Sequence, residues 1–371
     1  MAIYFVVVGL IFALAFFSLY IKSEAGPERR KKLFLAGAFL LLGLLMALRA
    51  SSVGTDTETY SRIFYKIGAT SRFWDIVPSA PVYNLYNKIV FFIWPDDRAI
   101  IVLNALIISV SVAVFIYNFS DDVFVSTLCY VTMYCFFFSM NGTRQYVALS
   151  LLLLAACVLR RKKFVMGLLL ASLAVGVHNT ALIFVPFLLA TPNNVSKKTL
   201  RIFVAASVIL VLFFSVIFDE ALSLFCRLFP RYLVYVNNAI GRSVFDAGQG
   251  RNILLTLFYA VVVAVGLLIE SRPDGTFGLS AADRQKLRYL LLPCLISVAV
   301  GLAAAQYVNI LRLREYFTIY FICLIPSIIR CFQNDKVILN ITAQLTLMIP
   351  CVVQLVEKKS GVVPYLFFWQ K

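Results

Sequence analysis

Apolar runs of near-membrane length alternate with short polar stretches along almost the whole 371-residue chain. The first run covers 2–21 and the second 33–48, with the basic stretch 22–32 between them. After a long, partly polar segment at 50–98 come runs at 99–117, 123–140, 146–159 and 164–177, then a shorter one at 181–190. A run at 202–218, a second long polar segment at 219–251 and runs at 252–269, 289–305, 316–329 and 337–356 complete the pattern. A helix needs about 20 apolar residues to cross a bilayer. The pattern therefore predicts an all-α polytopic membrane protein of about 12 transmembrane helices with two long outer segments. The run at 181–190 is too short to span alone, which predicts a break near His178, tolerated where backbone lines a cavity. Within 50–98, residues 81–94 mix Tyr83, Tyr86 and Trp94 with Asn84, Asn87 and Lys88, as an interfacial or re-entrant helix does. The run at 2–21 has neither a basic start nor a small-residue cleavage site and reads as a retained helix.

Composition agrees with this pattern. The chain is 61% hydrophobic and 14% charged, with a mean hydropathy of +0.89. No hydrophilic stretch is long enough for a separate soluble domain, so one integral membrane domain is expected over 1–371. The net charge of +16 is read through the rule that Lys/Arg-rich short loops stay cytoplasmic. Loops at 22–32, 160–163, 197–201, 272–288 and 330–336 are then inner, and both termini are outer. Eighteen of the 34 Lys and Arg fall inside and 16 outside, mostly in the two long segments. The rule explains the inner group. An anionic substrate is the simplest reason for the outer one; no motif supports nucleic acid. Eight cysteines without a C-x-x-C pair and a single histidine give neither a disulfide framework nor a metal centre, and no cofactor is expected.

The same topology brings candidate chemistry to one membrane level. Arg144 and Gln145 open the run that ends in the basic cluster 160–163, so they lie at the outer face. The next run climbs back and delivers His178 there. Backbone N–H groups at a helix N-terminus attract anions, and a guanidinium adds bidentate donors suited to phosphate; the alternative is an arginine reaching for lipid headgroups. An ionisable group at the end of a membrane helix is a functional hypothesis by default, and histidine suits proton transfer. Arg49, followed by Gly54-Thr55-Asp56 and Tyr60, places a cation and a carboxylate beyond the second helix, with Gly54 permitting the turn. Asp56 serves there as a general base, as a ligand for hydroxyls, or as a partner for Arg49. Arg231 with Tyr235, and Arg312 with Tyr316, are two further outer arginine–tyrosine pairs. Asn141-Gly142-Thr143 matches a glycosylation sequon, read here as chance.

In their order and sidedness these motifs resemble the EpsG/Wzy-type polysaccharide polymerases of bacteria. The matching residues are Arg49, Gly54, Thr55, Asp56 and Tyr60; Arg144 and Gln145; Ala174, His178, Ala181 and Leu182; and Arg312, Tyr316 and Phe317, with Arg231 and Tyr235 in the second outer segment and 363–365 in the tail. Arg314 is an extra charge inside the last motif and leaves open which arginine acts. The resemblance implies the general plan of lipid-dependent (GT-C-like) glycosyltransferases. It implies an enzyme of the bacterial inner membrane that joins undecaprenyl-pyrophosphate-linked repeat units at the periplasmic face, in O-antigen, capsule or exopolysaccharide synthesis. Its expected partners are a lipid-linked glycan donor and acceptor, the bilayer and a chain-length regulator. No acidic cluster at metal spacing occurs in the outer segments, so arginines would stand in for Mg²⁺ around the leaving pyrophosphate. Arg144 and Arg312 are the expected pyrophosphate ligands, helped by Arg49 and Arg231, with His178 or Asp56 as base and inversion at the anomeric carbon.

Two other functions share parts of this description. A flippase for the same lipid needs a basic cavity, but it would carry internal repeats and charges near the midplane, and the halves show no repeat. An O-antigen ligase-like transferase shares the donor chemistry and differs in its acceptor.

Overall fold

The computed structural model describes residues 1–21, 26–191, 194–228, 247–273, 276–303 and 308–370. Its helices are α1 (Ala2–Ala15), α2 (Pro27–Ala47), α3 (Thr57–Ala69), α4 (Pro81–Ile93), α5 (Asp97–Phe119), α6 (Val123–Thr132), α7 (Cys135–Asn141), α8 (Thr143–Arg160) and α9 (Phe164–Val177), followed by a 3-10 segment, Asn179–Leu189. Then come α10 (Lys197–Leu228), α11 (Ala247–Ser271), α12 (Ala281–Ala303), α13 (Val308–Thr318), α14 (Phe321–Ile329) and α15 (Lys336–Val356). Among the described residues six helices are long and apolar enough to cross a membrane, or seven if the bent pair α6–α7 counts as one span. The protein is thus an all-helical, multi-pass membrane protein.

Most predicted runs became helices near their expected bounds, and the differences have local causes. Proline at the first turn starts α2 at residue 27, so Arg29, Arg30, Lys31 and Lys32 lie on helix rather than in a loop. The run at 123–140 bends by 53° between α6 and α7, where Tyr134 takes a left-handed φ of 67°. The run at 316–329 is likewise divided between α13 and α14. The expected break at His178 is present: α9 ends at Val177 and the chain continues as a 3-10 segment. The amphipathic helix at 81–94 is α4. Helix α3, also within residues 50–98, lies where the pattern predicted no helix. Phe64 and Ile67 bury its apolar face, and Phe64 packs with Val90, Ala99 and Ile100.

Lys88 closes the α3–α4 hairpin. Its ammonium donates to the carbonyls of Ile67 (3.3 Å), Gly68 (2.8 Å) and Thr70 (3.0 Å), satisfying the C-terminus of α3 and complementing its dipole. Lys88→Met is expected to weaken this hairpin by about 1–3 kcal/mol. Faster amide exchange confined to the α3 C-terminus, with α5 and α8 unchanged, is the expected readout.

The chain divides into two compact units, 1–189 with 335–371, and 190–334. In the first, α2 packs on α5, α5 on α8, and α8 on α9. Basic clusters gather at one end: Lys32 lies over Tyr117 (5.4 Å), Arg160 donates to the Asn118 carbonyl, and Lys336 pairs with Asp122 (3.7 Å). The opposite end carries both termini. Tyr4 Oη donates to the Val362 carbonyl (2.6 Å), and the tail pairs with the end of α2 through Ala50 N to Leu366 O and Phe368 N to Leu48 O.

In the second unit α12 packs against α10, α11 and α13. Buried Arg284 donates to the carbonyls of Arg272 (3.1 Å) and Pro273 (2.7 Å) beyond α11. Arg288 pairs with Glu270 at 2.6 Å, and Arg330 with Asp283 at 3.1 Å.

Candidate active site

The floor of the site is a knot of buried polar contacts at the end of the first unit that carries the termini. Gly54 has φ +95°, and a Cβ there would stand 2.6 Å from Thr57 Oγ1 and 2.7 Å from the Met140 carbonyl. Only glycine lets the 53–57 turn come this close. Asn141, 3% exposed, accepts from Thr55 Oγ1 and from the Asp56 N–H, both at 2.9 Å. The sequon asparagine is therefore a buried strut, inaccessible to a glycan-transferring enzyme. The C-terminal tail seals the other side of the turn: Gly54 N–H donates to Gly361 O (2.9 Å) and Thr55 N–H to Ser360 O (3.1 Å).

Arg49 belongs to this floor and not to the rim expected for a pyrophosphate ligand. It is 1% exposed. Its Nη1 donates to Met46 O (2.7 Å), and its Nη2 to Met140 O (3.2 Å) and Thr143 Oγ1 (3.3 Å). Burial lowers its pKa to about 10, so it stays cationic at neutral pH. Its charge ties the end of α2 to the start of α8.

Arg144, next to the floor residue Thr143, supplies a second guanidinium. It is half-buried in the first turn of α8, and its carbon Cζ lies 5.4 Å from the centre of the Tyr83 ring, a cation–π arrangement. Its Nε is buried with no hydrogen-bond partner among the described residues. Burial is the main reason the Tyr83 hydroxyl titrates above its usual range; Tyr60 adds to the rise, and Arg144 and Asn87 oppose it. Arg144, Tyr83 and Tyr60 thus share one neighbourhood. Asp56, half-buried, leads into α3, and Gln145 is buried.

His178 reaches the same end because α8 and α9 form an antiparallel pair, with Arg144 at the start of one and His178 just past the end of the other. Its Nδ1 lies 2.9 Å from Thr180 Oγ1, with donor and acceptor set by the tautomer. Gly176 lets α9 pack against the start of α4, since any Cβ there would collide with Val82.

The remaining candidates lie in the second unit. Arg312 is exposed, whereas Arg314 is 6% exposed and donates to Thr256 Oγ1 at 2.7 Å. Its guanidinium stands 5.8 Å from the Tyr259 ring, and Gly301 leaves room for its Nη1, where a Cβ would lie 2.6 Å away. Tyr316 is fully buried. Ser297 and Thr318 hydrogen-bond at 2.8 Å, and Thr318 Oγ1 lies 3.0 Å from the Arg314 carbonyl. Arg231 and Tyr235 lie outside the described residues.

The residues that sequence reasoning missed are Tyr83, as the ring under Arg144, and Asn141, as the strut of the Gly54 turn. Tyr83 carried a signal, an aromatic on the amphipathic helix at 81–94; Asn141 was read only as part of a sequon.

Compared with known proteins, the chain matches the model of the EpsG family over residues 32–367. No curated protein and no solved structure shows significant similarity to it.

Proposed function

The chain belongs to the EpsG family, whose membership implies a polysaccharide-polymerase type of glycosyltransferase, and we propose that it joins undecaprenyl-pyrophosphate-linked oligosaccharide repeat units by glycosyl transfer. The observation that carries this reading is the paired delivery of Arg144 and His178 to one end of the α8–α9 hairpin, above a floor locked by Arg49 and Asn141. By the positive-inside rule that end faces the periplasm, since Lys32 and Arg160 mark the other. Both termini then lie outside an inner membrane crossed by about 12 helices.

In the reaction, a sugar hydroxyl of the acceptor attacks the anomeric carbon of the donor. The carbon–oxygen bond to the lipid pyrophosphate breaks, and its electron pair leaves on the pyrophosphate oxygen, with inversion at carbon. Arg144 meets the charge that develops there, and fixed positive groups aimed at developing charge are among the largest catalytic contributions. The Tyr83 ring holds the guanidinium in place. His178, oriented through Nδ1 by Thr180, takes the hydroxyl proton, and Asp56 with Tyr60 orients the acceptor's hydroxyls. Arg49 acts through the floor as a positioning residue. In the second unit the candidate anion ligands are Arg312, which is exposed, and Arg314, which is buried beside Thr256 and Tyr259.

The test is direct. Purified protein given lipid-pyrophosphate-linked repeat units alone is expected to produce a ladder of lengthening glycans. Transfer of the intact lipid across a bilayer without chain growth would establish a flippase instead. Single transfer to a lipid A acceptor without a ladder would establish a ligase.

A further inference from the structure

A groove runs along the lipid-facing side of the first unit between α2 and α5. Its volume is about 600 Å³, and its wall follows α2 from Lys32 to Ala47 and α5 from Val102 to Tyr117. Fifteen residues of helix at 1.5 Å each make it about 22 Å long, most of the ~30 Å hydrocarbon thickness of a bilayer. Apart from Lys32, Ser109 and Tyr117 every lining residue is apolar, so the groove suits a hydrocarbon chain lying along it. Small residues form its floor. Gly43 meets Ser109 so closely that a Cβ would lie 2.9 Å from the serine Oγ, and that Oγ is buried without a partner among the described residues. Its outer lip, with Leu40, Leu106 and Val110, is exposed where the bilayer would be.

The two mouths differ. At the basic end Lys32 sits over Tyr117. At the other end the groove finishes at Ala47, and the Arg98 guanidinium stands over that finish, donating to the carbonyls of Ala47 and Arg49 and stacking 4.3 Å from the Phe368 ring. Arginine has five N–H donors. Two are engaged among the described residues, which leaves others for a phosphate at the mouth. This is the end that carries Arg49 and Arg144.

We propose that the α2–α5 groove is the berth of the single isoprenoid chain of the lipid-linked substrate, entered sideways from the bilayer, with Arg98 receiving its proximal phosphate. The inference rests on the polymerase reading for the identity of the lipid. The cation at its site-side mouth suits a lipid whose phosphate is attached directly to the chain.

The probe is a polyprenyl monophosphate with a photoreactive diazirine on its chain, added to the full-length protein in nanodiscs. Labelling is expected on peptides of 32–47 and 102–117, competed by unlabelled polyprenyl phosphate and not by phosphatidylglycerol. Val110→Trp and Leu106→Trp fill the groove from its lipid-facing lip without touching the floor. Each is expected to lower labelling about tenfold, equivalent to ~1.4 kcal/mol. Arg98→Gln is expected to abolish the preference for polyprenyl phosphate over uncharged polyprenol. Labelling that both tryptophans leave unchanged, that falls elsewhere, or that phosphatidylglycerol competes equally well would overturn the proposal. The readout needs no turnover. Labelling without any glycan ladder would leave the groove standing and remove the polymerase, whereas a ladder without groove labelling would remove the groove alone.

Discussion

Arg144→Ala is expected to eliminate the glycan ladder while leaving the protein folded. Among the described residues the guanidinium's contact is the face of Tyr83 at 5.4 Å, a ring that is itself 3% exposed in α4, so loss of the guanidinium orphans no described hydrogen-bond partner. Removal of one donor aimed at developing negative charge costs about 10²–10³ in turnover. A cation shared with a bulky leaving group belongs at the upper end of that range. Arg144→Lys keeps the charge but loses the planar fork, and is expected to fall between the two. His178→Ala is expected to lose about 10²–10⁴ as the base disappears. The check is the initial rate of chain growth per folded molecule, with thermal stability measured in parallel. Wild-type rates in Arg144→Ala would remove the residue from the mechanism. Loss of rate together with collapse of the fold would show it to be structural.

Gly54→Ala is expected to be the most damaging single methyl group in the first unit. The residue sits at φ +95°, and the added carbon would meet Thr57 Oγ1 and the Met140 carbonyl at 2.6 and 2.7 Å. The backbone strain costs about 1–3 kcal/mol and the overpacking a similar amount. One neighbour is backbone, so it cannot swing aside. Relief requires the 53–57 turn to lift, which separates Thr55 and Asp56 from Asn141 and the turn from Gly361. Gly278→Ala is the matched control. It also has positive φ, +61°, but a Cβ there meets nothing within 4 Å, so a loss of only ~1 kcal/mol is expected. Thermal unfolding in detergent separates the two. Equal loss in both would mean that the crowding at Gly54 is unimportant.

Much of this architecture was legible in the pattern of apolar runs, because membrane helices are constrained by length and by backbone satisfaction within each segment. The break at His178 was legible for the same reason, since the run after it was too short. The bend at Tyr134 was not. It has no glycine or proline, and the tyrosine that adopts the left-handed conformation is held by its hydroxyl on Lys359 O, 2.6 Å away and 225 residues on. Local sequence carries no trace of such a partner. Arg49 was misplaced for a related reason. A guanidinium at a rim and one bonded to carbonyls beneath it look alike until Met140 and Thr143 are brought beside it. Between Arg312 and Arg314, spacing offered no choice; what distinguishes them in the fold is the burial of Arg314 against Tyr259.

The tail across the Gly54 turn bears on biogenesis. Ala50, Gly54 and Thr55 receive their partners from residues 360–366, which are synthesised hundreds of residues later. A nascent chain threading into the membrane N-terminus first therefore holds Arg49 and Asn141 in an unfinished surround until this strap arrives. On the polymerase reading, catalytic competence would then begin only once residues 360–366 have docked, so a copy stalled before them would not extend glycans.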